Sequence, residues 1–140
     1  MKSITVKEVE YIAFRLAKEL LSFNEPIPDF SSRFPNILES CLAAPFQSFG
    51  GKSLYPTLIS KASILFYLMI KNHPFQNGNK RIAMTVLFVF LYKNNKWLKV
   101  DTQELYNFTV WVASSPRIVK NQVVKAIEKF ITDHLQNIDR

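Results

Sequence analysis

Nine consecutive residues hold most of the chemistry in this chain: His73-Pro74-Phe75-Gln76-Asn77-Gly78-Asn79-Lys80-Arg81. They separate two strongly apolar segments, 64–70 and 82–92. Pro74 bars helix continuation, and Gly78 permits a backbone turn that most residues resist. A helix is therefore expected to begin at Asn79. The first N–H groups of a helix lack internal partners and carry the positive end of its dipole. Gly78 is expected to leave that backbone open, and Lys80 and Arg81 add two formal charges beside it. The stretch reads as an anion cradle of the kind that holds phosphate. His73, five residues before Gly78, is placed to reach the same site as a base. Each feature has an ordinary reading by itself: a surface or capping histidine, an Asn-Gly turn, a solvated Lys-Arg pair. Two cations at the helix end that disfavours cations are harder to explain without an anion.

Composition sets the frame for this stretch. At 140 residues the chain is expected to form one domain, 1–140, able to bury a core without disulfides or metals. An apolar fraction of 48% and a charged fraction of 21% are those of a globular protein. Only three glycines argue for helices over a turn-rich β fold. Cys41 is the single cysteine, so no internal disulfide can form, and a reducing cytoplasmic setting is expected. Residues 2–18 mix polar and apolar types without the apolar block of a secretory leader. The run 82–92 is about half the length of a membrane span, so no membrane partner is expected. A net charge of +7 favours anionic partners. The cations are spread along the chain rather than gathered into a basic arm, which favours a nucleotide or an acidic protein over nucleic acid.

The elements that must position the nine residues follow from periodicity and caps. Thr5 and Glu8 form a capping box that opens a helix over 6–22, with Val6, Val9, Ala13, Leu16 and Leu20 inward. Pro26 and Pro28 make 24–29 a loop. Pro35 opens a second helix, with Ile37, Leu38, Cys41 and Leu42 inward, and Pro45 ends it. Aromatic-flanked arms around Gly50-Gly51 read as a hairpin over 46–55. Pro56 is read as opening a third helix that runs to Asn72, buried through Leu58, Ile59, Ala62, Leu65, Phe66 and Met69. The central helix is expected over 79–93. It is apolar on nearly every side apart from Thr85, so other helices must surround it. Residues 97–100 alternate and read as a short extended piece. Asp101 caps a fifth helix that reaches Ser114, with Trp111 in the core, and a last helix spans 118–136, with His134 on its surface.

The nine-residue stretch resembles the signature of the Fic/Doc family in its death-on-curing branch: His, commonly Pro, Phe, any residue, an acid or Asn, Gly or Ala, Asn, Lys or Gly, Arg. The resemblance runs over about 5–135. It implies an all-α fold, a compact Fic/Doc helical domain around a central buried helix, with a short flap hairpin. It makes Gly50, Gly51 and Lys52 part of a flap that pins an extended target or antitoxin segment by strand addition. It implies ATP with Mg²⁺, held at Gly78, Asn79, Lys80 and Arg81. His73 is then the base, Arg81 neutralises the transferring phosphate, the Asn79 side chain orients an oxygen, and Phe75 holds the loop from the core. Three residues refine this. Lys80 stands where adenylyl-transferring members have Gly. Members with Lys there resemble the death-on-curing toxin, which passes the terminal phosphate of ATP to a threonine of elongation factor Tu. Met84 replaces the second Arg of the adenylyl-transferring members. Asn77 replaces the acid that holds Mg²⁺, and a neutral amide is a poorer ligand for a hard cation. The family's inhibitory motif has no match in the chain, so a separate antitoxin is the expected restraint. The reading is a cytoplasmic toxin that phosphorylates a Ser or Thr of a protein. The alternatives are a protein adenylyltransferase on the same pocket and a catalytically degenerate binding module.

Overall fold

The computed structural model describes residues 1–20 and 26–138, Leu20 by its backbone alone. Its elements begin with three end-to-end pieces of one helix: α1 (Val6–Glu8), a π-helical stretch (Val9–Ala13) and α2 (Phe14–Leu20). The Thr5–Glu8 capping box closes as expected, with Thr5 N–H donating to Glu8 Oε1 at 2.9 Å and Glu8 N–H donating to Thr5 Oγ1 at 3.1 Å. Buried Ile4 and Val9 flank the cap in the positions of a hydrophobic staple. The wide π turn shifts the inward face by one residue. Phe14 and Ala17 are buried beside Val9 and Ala13, whereas Leu16 is only half-buried. The expected end of this helix, and the inward Leu20 side chain, lie outside the described residues.

A 3₁₀ turn (Phe30–Ser32) leads to α3 (Pro35–Ala43), opened by its proline and followed by a second 3₁₀ turn (Ala44–Phe46). The hairpin is present: β1 (Ser48–Phe49) pairs antiparallel with β2 (Lys52–Ser53). Gly50 and Gly51, at φ 58° and 79°, supply the positive φ at both turn positions. Next comes α4 (Leu58–Lys71). Pro56 does not open it. Thr57 is the N-cap and shares a capping box with Ser60, because a hydroxyl can satisfy the third-residue N–H and a proline ring cannot. Burial of α4 extends well past the expected face, taking in Lys61, Ser63, Ile64, Tyr67 and Ile70.

The central helix, α5 (Asn79–Lys93), has the expected bounds. All of it is buried except Lys80, Phe88 and Lys93, which are half-buried, and the exposed Tyr92. α4 and α5 form an antiparallel pair joined by the 72–78 loop, and α2, α6 and β3 cover the other sides of α5. β3 (Lys96–Leu98) lies next, then α6 (Thr102–Ser114), capped by Asp101, and α7 (Lys120–His134) after a 3₁₀ turn at Arg117–Val119. α7 stops short of its expected end because β4 (Leu135–Asn137) pairs with β3. Trp111 is not in the core. It is 49% exposed and stacks on Phe108, so α6 turns its Leu105, Thr109 and Val112 inward instead. His134 is not a free surface residue either: its ring packs on Phe130 and Nδ1 sits 2.7 Å from the Phe130 carbonyl. The described residues are all-α apart from two small two-stranded sheets. Among the described residues no helix is long and apolar enough to cross a membrane.

Candidate active site

The loop between α4 and α5 is anchored from below by an aromatic ring. Phe75 is 1% exposed and packs against Phe14 at 5.0 Å and Phe30 at 6.0 Å between centroids. Pro74, also buried, accepts the Phe34 N–H at its carbonyl at 2.9 Å, tying the loop to the segment that opens α3. These contacts leave His73, Gln76 and Asn77 exposed around a fixed centre. His73 follows the C-cap of α4 and has φ 49°, a left-handed conformation that a non-glycine residue adopts only at some cost.

Asn79 fixes the loop from inside. Its Oδ1 accepts the Phe75 N–H at 3.0 Å, and its Nδ2 donates to the Phe75 carbonyl at 2.9 Å. These two bonds set the orientation of the amide. The second Nδ2 hydrogen is then left facing His73 Nδ1 at 3.4 Å. The contact is long enough to orient the ring without locking its tautomer. Both amide atoms of Asn79 are hydrogen-bonded within the loop and toward His73, and the side chain thereby shapes the site.

Gly78 begins α5 in the left-handed region, at φ 74°. A Cβ there would also lie 2.7 Å from Ile27 Cδ1 and 2.9 Å from the Pro26 carbonyl. Glycine is thus required twice, by backbone angle and by the close approach of the Pro26-Ile27 loop. That approach buries Gly78, so the residue is not open as the sequence suggested. Lys80 is half-buried in the first turn of α5. Arg81 is 7% exposed, and its Nη2 donates to the Ala17 carbonyl in the last turn of α2. Its charge faces the negative end of that helix. Arg81 is thereby drawn toward α2. Met84 is fully buried in the core.

Asn77 is the exposed residue expected to meet a metal. Among the described residues no group of three or more His, Cys, Asp or Glu is placed to hold a metal ion. A neutral amide alone does not make a Mg²⁺ site.

The flap hairpin stands apart from this loop. Lys61, 6% exposed in the second turn of α4, donates to the Pro45 carbonyl at 3.1 Å, to Ser53 Oγ at 3.2 Å and to the Tyr55 carbonyl. One ammonium therefore spends its three hydrogens on both legs of the hairpin, with the Phe46 ring 5.0 Å away. The hairpin base sits at the N-terminal end of α4. His73 follows its C-terminal end, and the 14 residues of α4 span about 20 Å. The structure thus places the base of the Gly50-Gly51-Lys52 flap a helix length away from His73. Sequence reading passed over Lys61, although its spacing from Leu58 and Leu65 puts a cation on the inward face of an amphipathic helix.

The Fic/DOC family model matches residues 3–91. A relative from Mycolicibacterium smegmatis, named Toxin Doc, is 34% identical over 65 residues, 46% of this chain and 50% of that protein. The chain thus spans half the length of the curated relative it matches. No solved structure matches. The family match takes in the first helix, the flap, the 72–78 loop and α5 as far as Leu91, well over half of the molecule, and the chain belongs to the Fic/Doc family.

Proposed function

We propose that the chain is a Doc-like toxin of a toxin–antitoxin pair, and that it transfers the terminal phosphate of ATP to a Ser or Thr hydroxyl of a protein. What supports this reading is an exposed His73 in the loop that leads into α5, with Lys80 in the first turn of that helix. In the reaction His73 takes the hydroxyl proton, and the oxygen attacks the γ-phosphorus. The bond between γ-phosphorus and the bridging oxygen breaks, and ADP leaves with the electron pair. The N–H groups of the first turn of α5 and the Lys80 ammonium stabilise the charge that builds on the phosphate. A Lys at this position favours the highly charged β/γ end of ATP beside the hydroxyl. Buried Met84 offers no second guanidinium to hold the reverse orientation. Asn77 would be a neutral side-chain ligand to Mg²⁺ carried by the nucleotide, and the metal would supply charge neutralisation at the phosphates. The net charge of +7 suits an acidic antitoxin as partner. The relative's name supports the toxin assignment.

The test is incubation with a candidate target, elongation factor Tu first, and ATP labelled at either the γ or the α position. Label from γ, lost in His73→Ala, supports the reading. Label from α with release of pyrophosphate replaces it with adenylyl transfer. No ATP-dependent label on any protein, from wild type or variant, leaves a binding module.

A further inference from the structure

We propose that Arg117 is a positioning residue for His73, acting from the start of the last helical segment through the C-terminal end of α4. The inference rests on the reading of His73 as the base, and uses residues beyond the 3–91 segment that matches the family. Arg117 opens the 3₁₀ turn between α6 and α7. Its two terminal nitrogens grip two consecutive residues. Nη1 donates to Asn72 Oδ1 at 3.2 Å, and Nη2 donates to the Lys71 carbonyl. Those two residues immediately precede His73. The grip is reciprocal. Lys71, 8% exposed, sends its ammonium back to the Ala113 carbonyl at 3.1 Å and to the Ser115 carbonyl. Four hydrogen bonds thus stitch the last turn of α4 to the α6–α7 connection in both directions.

This arrangement answers a need of the site. His73 holds a left-handed backbone at φ 49°, and the side-chain contact described for its ring is the long 3.4 Å approach to Asn79. The position of the ring is therefore set mainly by its backbone, and the backbone on its N-terminal side is held by Arg117. The clamp also brings two cations together: burial, then the charge of Arg117, pushes the Lys71 ammonium below the usual lysine range. A planar two-armed donor is what this geometry uses, and a lysine can supply only one arm.

The chain has two histidines, so the ring signals of His73 can be followed by NMR with His134 as the internal reference. Arg117→Ala is expected to move the ring chemical shifts of His73 while leaving those of His134 in place. It is expected to lower kcat for γ-phosphate transfer by about 10- to 100-fold, with the KM for ATP held within about twofold, as for misplacement of a reacting group by about an ångström. Arg117→Lys should recover part of both effects. Ile118→Ser, at a neighbour 91% exposed, should change neither. A folded Arg117→Ala protein with wild-type His73 signals would overturn the proposal. Should that variant fail to fold, Asn72→Ala removes one arm's acceptor alone, and unchanged His73 signals there would overturn it equally. Altered His73 signals with unaltered kcat would instead refute His73 as the base and leave the clamp standing.

Discussion

Removing the Asn79 side chain tests whether the loop is held from inside. Asn79→Ala strands the N–H and the carbonyl of Phe75, both paired only with that amide among the bonds described and both attached to a ring that is 1% exposed. A buried backbone group left without a partner costs about 1–3 kcal/mol, so two cost about 2–6 kcal/mol. Exposed Gln76 next in sequence lets water reach part of the gap, which favours the lower half of that range. The better helix propensity of Ala returns roughly 0.5 kcal/mol. The net loss is about 2–3 kcal/mol, and for a domain of this size roughly 6–12 °C in Tm. Calorimetry or urea unfolding reads it directly. Asn79→Asp sharpens the test. It keeps an acceptor for the Phe75 N–H but sets a second oxygen against the Phe75 carbonyl, where the amide had a donor 2.9 Å away. The helix start repays a carboxylate by about 0.3–1 kcal/mol, less than the lost bond costs. Only the protonated acid can donate there, so its pKa is raised in the folded state. The variant should therefore gain on wild type as pH falls, and lose as pH rises through that raised value. A Tm for Asn79→Ala within 2 °C of wild type, or an Asn79→Asp deficit that does not shrink in acid, would refute this account of the loop.

Four further outcomes are expected. Lys61→Met should loosen the flap at both legs, raising the KM for the protein target at least several-fold while ATP binding holds; equal loss of both would mark Lys61 as merely structural. Asn77→Asp should strengthen Mg²⁺ dependence of nucleotide binding by adding a charged oxygen, measured by calorimetric titration of ATP with and without the metal. Burial pushes the Glu8 carboxyl up, but the hydrogen bonds from Lys93 and Thr5 and the charge of Lys93 outweigh it and hold its pKa below the usual value. The Lys93–Glu8 pair at 2.6 Å should therefore stabilise by up to about 1 kcal/mol above the ordinary Glu range and fade as pH falls below it, so Glu8→Gln should match wild type only in acid. Burial lifts the Cys41 thiol to about 11, so thiol reagents at neutral pH should label it only as fast as the protein unfolds.

Features decided within three or four residues were legible in the sequence. The Thr5–Glu8 capping box, the opening of α3 at Pro35, the Gly50-Gly51 turn and both ends of the central helix depend on local hydrogen bonds and steric limits. Any chain with those residues at that spacing meets them. The all-round apolar character of 82–92 likewise dictated a surrounded helix before any neighbour was known. Where two local signals competed, as at Pro56 and Thr57, the one that could satisfy an N–H prevailed. What sequence could not assign was the partner of each long side chain. Arg81 follows Lys80 in the chain, yet its guanidinium is drawn to the carbonyl end of α2. Lys61, Lys71 and Arg117 find their backbone carbonyls 16, 42 and 46 residues away, and no local pattern names those partners. Trp111 and the β3–β4 pair were settled by which face found cover and which edge found another strand. Caps and turns are satisfied by the residues beside them, so sequence determines them. A buried cation is satisfied only by whatever carbonyl packing brings within 3 Å or so, and that is decided by the tertiary structure alone.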